Sequence, residues 1–84
     1  EGTEAVSAGW WLQLGAFRQR EGADLLQQRM QREAEALAPA VSVAAEREVF
    51  RVHAGPYASR GEALAAAEKL RALLAVVPLL VSRP

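Results

Sequence analysis

Leu12-Gln-Leu-Gly-Ala-Phe17 is matched forty residues later by Val52-His-Ala-Gly-Pro-Tyr57, and this internal repeat decides the fold. The same offset aligns Met30 with Leu70, well beyond the two quoted stretches. Self-similarity at a fixed offset indicates that one supersecondary unit occurs twice. Each half is therefore predicted to contain a strand, a helix and a second strand.

Both quoted stretches belong to predicted strands, because their residues alternate with a period of two. Gly15 and Gly55 are predicted to end these strands at equivalent places, where a residue without Cβ permits a tight exit. One side of each strand is apolar and the other is largely polar. The apolar side carries Trp10, Leu12, Leu14, Phe50, Val52 and Ala54, and the other side carries Trp11, Gln13, Gly15, Arg51, His53 and Gly55.

An amphipathic helix is predicted after each glycine, since apolar residues recur at intervals of three or four. Ser59 and Glu62 have the spacing of a capping box, which gives Ser59 a structural role. Pro39 and Pro78 separate each helix from the next strand. The apolar stripes are Ala23, Leu26, Met30, Ala34 and Leu37 in the first helix and Ala63, Ala67, Leu70 and Leu74 in the second.

Two β-α-β units in tandem predict an α+β fold of the ferredoxin or RNP-like type, β-α-β-β-α-β. Right-handed crossovers place both helices on one face of a four-stranded antiparallel sheet. The turn between the units is predicted at residues 44–48 and the last strand at 79–83. Residues 1–9 are predicted to be a leader or linker and residues 10–84 the domain. Because the chain begins at Glu1, we expect a piece of a longer polypeptide with any export signal upstream.

Composition restricts the function further. The chain has 84 residues, ten basic and ten acidic side chains and no cysteine, which indicates one small domain without disulfides or thiolate metal ligands. Zero formal charge disfavours nonspecific nucleic-acid binding, and the longest apolar stretch, 72–81, is too short to span a bilayer. His53 is the single histidine, so neither a metal nor a cofactor is predicted. We expect a monomer.

The sheet face opposite the helices is predicted to be uncovered and to bind a ligand. Trp11 offers an apolar plate, Gln13 a donor and an acceptor, and Arg51 a fork for a carboxylate. Such a surface suits an elongated polar ligand with some negative charge, as a glycan would be. Ser42 and Ser82 are expected to flank it. The predicted strands and loops also carry an arginine surplus, with Arg18, Arg20, Arg47, Arg51, Arg60 and Arg83 against Glu46 and Glu48.

Several alternatives stay open for these residues. A solvated sheet face shows the same alternation, Trp11 could serve as additional core, and a register slip would exchange it with Trp10. Arg51 could form a surface ion pair with Glu46 or Glu48. Phe17 and Tyr57 commonly cap a core at helix entry.

Catalysis is disfavoured, because the predicted face lacks the two acids of a glycosidase and no Ser, His and acid set recurs. A rival function is single-stranded nucleic-acid binding on the same face, although no RNP1 pattern is present. A third is a protein-interaction module that uses a sheet edge or the Ala-rich second helix.

From about Trp10 to its end, the sequence resembles the SPOR domain of bacterial cell-envelope and division proteins. The resemblance rests on the aromatic and apolar residues that lead into Gln13-Leu-Gly-Ala-Phe17, on Phe50-Arg-Val-His-Ala-Gly-Pro-Tyr57, and on Ser59-Arg-Gly-Glu-Ala63 at the second helix. It implies a periplasmic domain that binds denuded peptidoglycan glycan, meaning strands that lack stem peptides. Such binding would enrich the parent protein at the division septum.

The resemblance also implies particular residues and a type of parent protein. The family's binding glutamine falls on Gln13 and its third-strand arginine on Arg51. The parent would be an enzyme such as a lytic transglycosylase of the rare lipoprotein A type, in which this non-catalytic domain lies at the C-terminus. The face and the resemblance together give the candidate ligand-binding residues Trp11, Gln13, Gly15, Ala16, Phe17, Arg18, Ser42, Arg51, His53 and Gly55.

Overall fold

The computed structural model describes residues 9–83, with side chains to residue 82. Residues 1–8 of the predicted leader lie outside the described residues, and Gly9, the last residue of that predicted leader, is the first residue of a strand. The predicted β-α-β-β-α-β order is confirmed. Its elements are β1 (Gly9–Phe17), α1 (Arg20–Glu33), a 3₁₀ turn (Glu35–Leu37), β2 (Val41–Glu46), β3 (Val49–Tyr57), α2 (Arg60–Leu74) and β4 (Leu79–Arg83).

The four strands form one antiparallel sheet, as predicted, and their order is β2-β3-β1-β4. The two repeated strands, β1 and β3, are neighbours at its centre. β2 is longer than expected and runs to Glu46, so that Arg47 and Glu48 alone form the turn to β3. Arg47 adopts a φ of 59°, the left-handed conformation that a tight two-residue hairpin turn requires.

The core lies between one sheet face and the two helices, and it contains the predicted apolar stripes. Leu12, Met30, Leu70 and Leu74 are fully buried or nearly so, and each such side chain stabilises the fold by about 2 kcal/mol. α1 ends at Glu33, earlier than its stripe predicts, and the chain continues through the 3₁₀ turn. The buried cluster is Leu12, Leu14, Ala23, Leu26, Met30, Ala34, Val52, Ala54, Tyr57, Ala63, Ala66, Ala67, Leu70 and Leu74.

The start of α2 is capped as the sequence predicts. The Ser59 hydroxyl accepts a hydrogen bond of 3.1 Å from the backbone N–H of Glu62. This bond satisfies one of the N–H groups that a helix start leaves without an intrahelical acceptor. α2 ends at Leu74, after which Ala75 takes a left-handed conformation that stops the helix.

β-Bulges let β1 and β3 continue beyond the glycines that we expected to end them. Gln13 pairs with His53, but Gly15 pairs with Val52, so Leu14 is an extra residue in β1. A bulge places consecutive residues on the same side of a strand. A Cβ on Gly15 would lie 3.2 Å from Leu26 Cδ2 of α1. Gly15 therefore faces the helices, and its predicted place on the uncovered face is wrong.

Candidate functional site

No helix packs on the second face of the sheet among the described residues, and we call this surface the helix-free face. Strand alternation and register decide which side chains lie there. They are Trp11, Gln13 and Ala16 of β1, Ser42, Ala44 and Glu46 of β2, Val49, Arg51, His53 and Gly55 of β3, and Leu79 and Val81 of β4. Seven of the ten candidate ligand residues are among these.

Trp11 and His53 are buried although they lie on the helix-free face. Their exposed fractions are 5% and 3%, and their rings meet edge to face with centroids 6.4 Å apart. A Cβ on Gly55 would lie 2.9 Å from Trp11 Cδ2 and Cε3, so the indole ring lies across this glycine. The expectation that Trp11 is an exposed plate is therefore wrong. Its role as additional packing, the alternative left open by the sequence, is the one observed.

The register slip that would exchange the two tryptophans does not occur. Trp10 pairs with Tyr57 and Ser82 and packs against the core on the helix side. Ser82 therefore lies on that side too, and its expected place beside the ligand face is wrong. Ser42 is placed as predicted, exposed and opposite His53.

Phe17 also belongs to the helix side. It pairs with Phe50, and a Cβ on Gly22 of α1 would lie 2.7 Å from its ring, so the ring covers the start of α1. Phe17, a candidate ligand residue, is therefore not on the helix-free face, because the bulge at Leu14 changes which side each later residue of β1 faces, and the core-capping alternative is the one observed. Ala16 lies on the helix-free face and is exposed, and Arg18 is exposed just beyond the end of β1.

Arg51 joins two other side chains of the helix-free face. Its Nε donates to Glu46 Oε1 at 2.6 Å, and its Nη1 donates to Gln13 Oε1 at 3.5 Å. The side chain of Arg51 remains 35% exposed. The ion pair with Glu46, one of the two expected alternatives, is thus present. It does not remove Arg51 from the accessible surface.

The arginine surplus is smaller than the sequence indicated. Arg20 and Arg60 are the first residues of the helices, and the Arg20 guanidinium lies 5.9 Å from the Phe50 ring centroid on the helix side. Outside α1 and α2, the described residues then hold four arginines against three glutamates, because Glu35 lies in the 3₁₀ turn. Among the described side chains of the helix-free face, the cation is Arg51 and the anion is its ion-pair partner Glu46.

Sequence reasoning missed three apolar residues of the helix-free face, Val49 of β3 and Leu79 and Val81 of β4. Leu79 pairs with Gln13 and is 55% exposed, while Val81 pairs with Trp11 and is half-buried. The period of two in β4 could have found these two. The accessible face thus carries its polar side chains on β1, β2 and β3 and its most exposed large apolar side chain, Leu79, on β4, an arrangement that suits a ligand with both polar groups and C–H surfaces.

Other surfaces offer less chemistry. A groove of about 440 Å³ lies on the helix side between residues 36–39 and α2, with Glu62 and Lys69 at its rim. Tyr57 lines it and donates a 2.7 Å hydrogen bond to the Leu37 carbonyl, and burial raises the pKa of Tyr57 to about 12.

Within residues 9–83, no group of acidic or histidine side chains could hold a metal ion, and no helix is long and apolar enough to cross a membrane.

The fold and the site define a small α+β domain with one sheet face packed by helices and the other bearing accessible polar side chains. The family model of the SPOR domain matches residues 6–80, and the chain belongs to the SPOR domain family. The expectation of a binding domain without catalytic activity agrees with this membership.

Two solved structures share the fold. The crystal structure of the RlpA SPOR domain from Pseudomonas aeruginosa is 30% identical, with 90% of this chain and 100% of that chain covered and a TM-score of 0.70. The solution structure of the peptidoglycan-binding domain of the B. subtilis cell wall lytic enzyme CwlC is 22% identical, with 98% of this chain and 99% of that chain covered and a TM-score of 0.70. At this identity, the second likeness supports the fold alone. No curated protein sequence is significantly similar to the chain.

Proposed function

We propose that this domain binds peptidoglycan through the helix-free face, and specifically glycan strands that lack stem peptides. In this proposal it acts in the periplasm and enriches its parent protein at the division septum. Membership of the SPOR domain family supports the proposal, as does the 30% identity to the RlpA SPOR domain.

One observation carries the proposal. Gln13 and Arg51, which match the glutamine and arginine of the family's ligand face, lie on neighbouring strands and contact each other at 3.5 Å. Both are half-buried, so each is held by its surroundings while still reachable from solvent. Amide and guanidinium groups donate to the hydroxyl and acetamido oxygens of a glycan, and the amide oxygen also accepts.

Exposed Leu79 completes the proposed surface. A pyranose ring presents C–H groups on its faces and hydroxyl groups at its edge. Leu79 on β4 can pack against the C–H groups. Its partner in the sheet, Gln13 of β1, can bind the hydroxyl groups. The buried Trp11 supports this surface from beneath rather than stacking directly on a sugar.

The test is cosedimentation of the chain with peptidoglycan sacculi before and after an amidase removes the stem peptides. We expect stronger retention on the stripped sacculi. Gln13→Ala should weaken retention about fivefold, since one hydrogen-bonding group is lost. Gln31→Ala is the matched control, because Gln31 is exposed on α1 and remote from the helix-free face.

Two outcomes would contradict the proposal. Failure of the wild-type chain to bind stripped sacculi at near-physiological salt would exclude it. Equal retention of Gln13→Ala and wild type would show that the helix-free face is not the site. A parallel titration with single-stranded RNA tests the rival function, which the burial of Trp11 and His53 disfavours because neither ring is available for base stacking.

A further inference from the structure

On the helix-free face, Arg51 is flanked by short side chains and oriented by an ion pair. Its direct partners in the sheet are Ala16 on β1 and Ala44 on β2, so short side chains flank it on both sides. Glu46 Oε1 accepts a 2.6 Å hydrogen bond from Arg51 Nε, which fixes one edge of the guanidinium. The result is a guanidinium that is oriented by a carboxylate, flanked by short side chains and partly exposed.

The guanidinium keeps unused donor capacity. Arginine has five N–H donors, of which one is given to Glu46 and one to Gln13. Three donors remain on a side chain that is 35% exposed. Because a guanidinium matches a carboxylate in shape and charge, an anionic oxygen pair is the ligand group that fits this position best.

The chemistry of the proposed ligand supplies such a group. The lactyl substituent of N-acetylmuramic acid ends in an amide when a stem peptide is attached and in a free carboxylate once the peptide is removed. Denuded strands therefore differ from substituted strands in charge as well as in bulk. A neutral amide would offer Arg51 no opposite charge.

We propose that Arg51, positioned by Glu46, binds the lactyl carboxylate of N-acetylmuramic acid and so makes the domain prefer strands without stem peptides. This inference rests on the glycan binding proposed above and assigns a chemical group to one residue of that site. Glu46 acts through Arg51 as a positioning residue. Gln13 contacts both the guanidinium and the neighbouring sugar.

The probe is a peptide-free oligosaccharide of alternating N-acetylglucosamine and N-acetylmuramic acid, prepared with free carboxylates and, separately, with every carboxylate capped as its methylamide. Calorimetry with the wild-type chain should give a Kd about tenfold lower for the carboxylate form, the size expected for one charge-assisted contact at a partly exposed site. Arg51→Gln should reduce this ratio to about one. Arg71→Gln, an exposed arginine on α2, should leave it unchanged.

Variants of Glu46 distinguish its role in positioning Arg51 from the effect of its own negative charge. Glu46→Gln keeps an acceptor for Arg51 Nε and removes a negative charge beside the ligand carboxylate, so the tenfold ratio should persist or rise about twofold. Glu46→Ala removes the acceptor, and the ratio should fall to about threefold because the arginine side chain is then ordered only on binding. A role for Glu46 in stability alone would change both Kd values equally and leave their ratio intact.

Each outcome decides between the two proposals. Equal wild-type affinity for the two oligosaccharides would overturn the inference and leave glycan binding in place. An Arg51→Gln variant that retains the tenfold preference would also overturn it. If the wild-type chain binds neither form, the proposed function itself fails.

Discussion

Gly55 combines a positive φ with the close approach of neighbouring atoms, and Gly55→Ala tests how the helix-free face is built. Its φ of 146° belongs to the region that favours glycine. A Cβ there would lie 2.9 Å from two atoms of the Trp11 ring and 3.0 Å from the Trp10 carbonyl oxygen. The ring is rigid and the carbonyl is backbone, so neither can give way cheaply.

The loss in the free energy of unfolding expected for Gly55→Ala has two parts. A non-glycine residue held in this backbone region costs about 1–3 kcal/mol. Forcing a methyl group into a packed site costs about 1–3 kcal/mol more, because the neighbours must leave their preferred positions. We expect Gly55→Ala to lower the free energy of unfolding by about 3 kcal/mol, a large share of the roughly 5–10 kcal/mol available to a domain of this size.

Urea unfolding followed by circular dichroism measures this loss. With a slope of about 1 kcal/mol per molar urea for a small domain, the midpoint should fall by about 3 M. Gly61→Ala is the matched control, since a Cβ there would meet nothing closer than Ser59 Oγ at 3.9 Å inside α2. This control should raise stability by about 0.5 kcal/mol. A loss below about 1 kcal/mol for Gly55→Ala would refute the close packing of Trp11 on this glycine.

Two further predictions concern stability. Ser59→Ala should cost about 1 kcal/mol in urea unfolding, because the N–H of Glu62 loses its side-chain acceptor; no change would mean that the cap adds nothing in water. Tyr57→Phe should cost about 1 kcal/mol, since the Leu37 carbonyl loses its 2.7 Å donor. The pKa of Tyr57 rises from 10.0 to about 12 on burial, so the unfolded chain ionises first and stability should fall as pH rises from 10 to 12. Tyr57→Phe should remove that fall, and an ultraviolet titration of this single tyrosine that gives a pKa near 10 would contradict the assignment.

The sequence predicts the fold well because its two signals are local and repeated. Alternation in β1 and β3 and the apolar stripes of α1 and α2 identify the elements. The capping pair Ser59 and Glu62 locates the start of α2 to within one residue. Short connections and the fixed hand of crossovers leave few ways to assemble these elements.

The site was harder to predict, because alternation gives the side of a residue only while the strand stays regular. The bulge at Leu14 moved Gly15 and Phe17 to the helix side, and no single residue type marks such a bulge. The burial of side chains on the helix-free face was equally hard to predict from the sequence. Whether Trp11 stands in solvent or lies across Gly55 depends on the φ of that glycine and on the packing of His53, which period-two patterning does not encode.

The repeat itself explains why the two halves of the helix-free face differ. Gln13 pairs with His53 at its centre, and the forty-residue offset relates Trp11 to Arg51 on either side of that pair. Trp11 can lie flat because it meets Gly55, whereas the bulge turns Gly15 away and brings Ala16 opposite Arg51. One equivalent position is therefore filled by a buried ring and the other by an exposed cation held by Glu46. A nearly two-fold backbone thus presents unlike chemistry at its two ends, and the charges described on this face, Arg51 and Glu46, lie together at one of them.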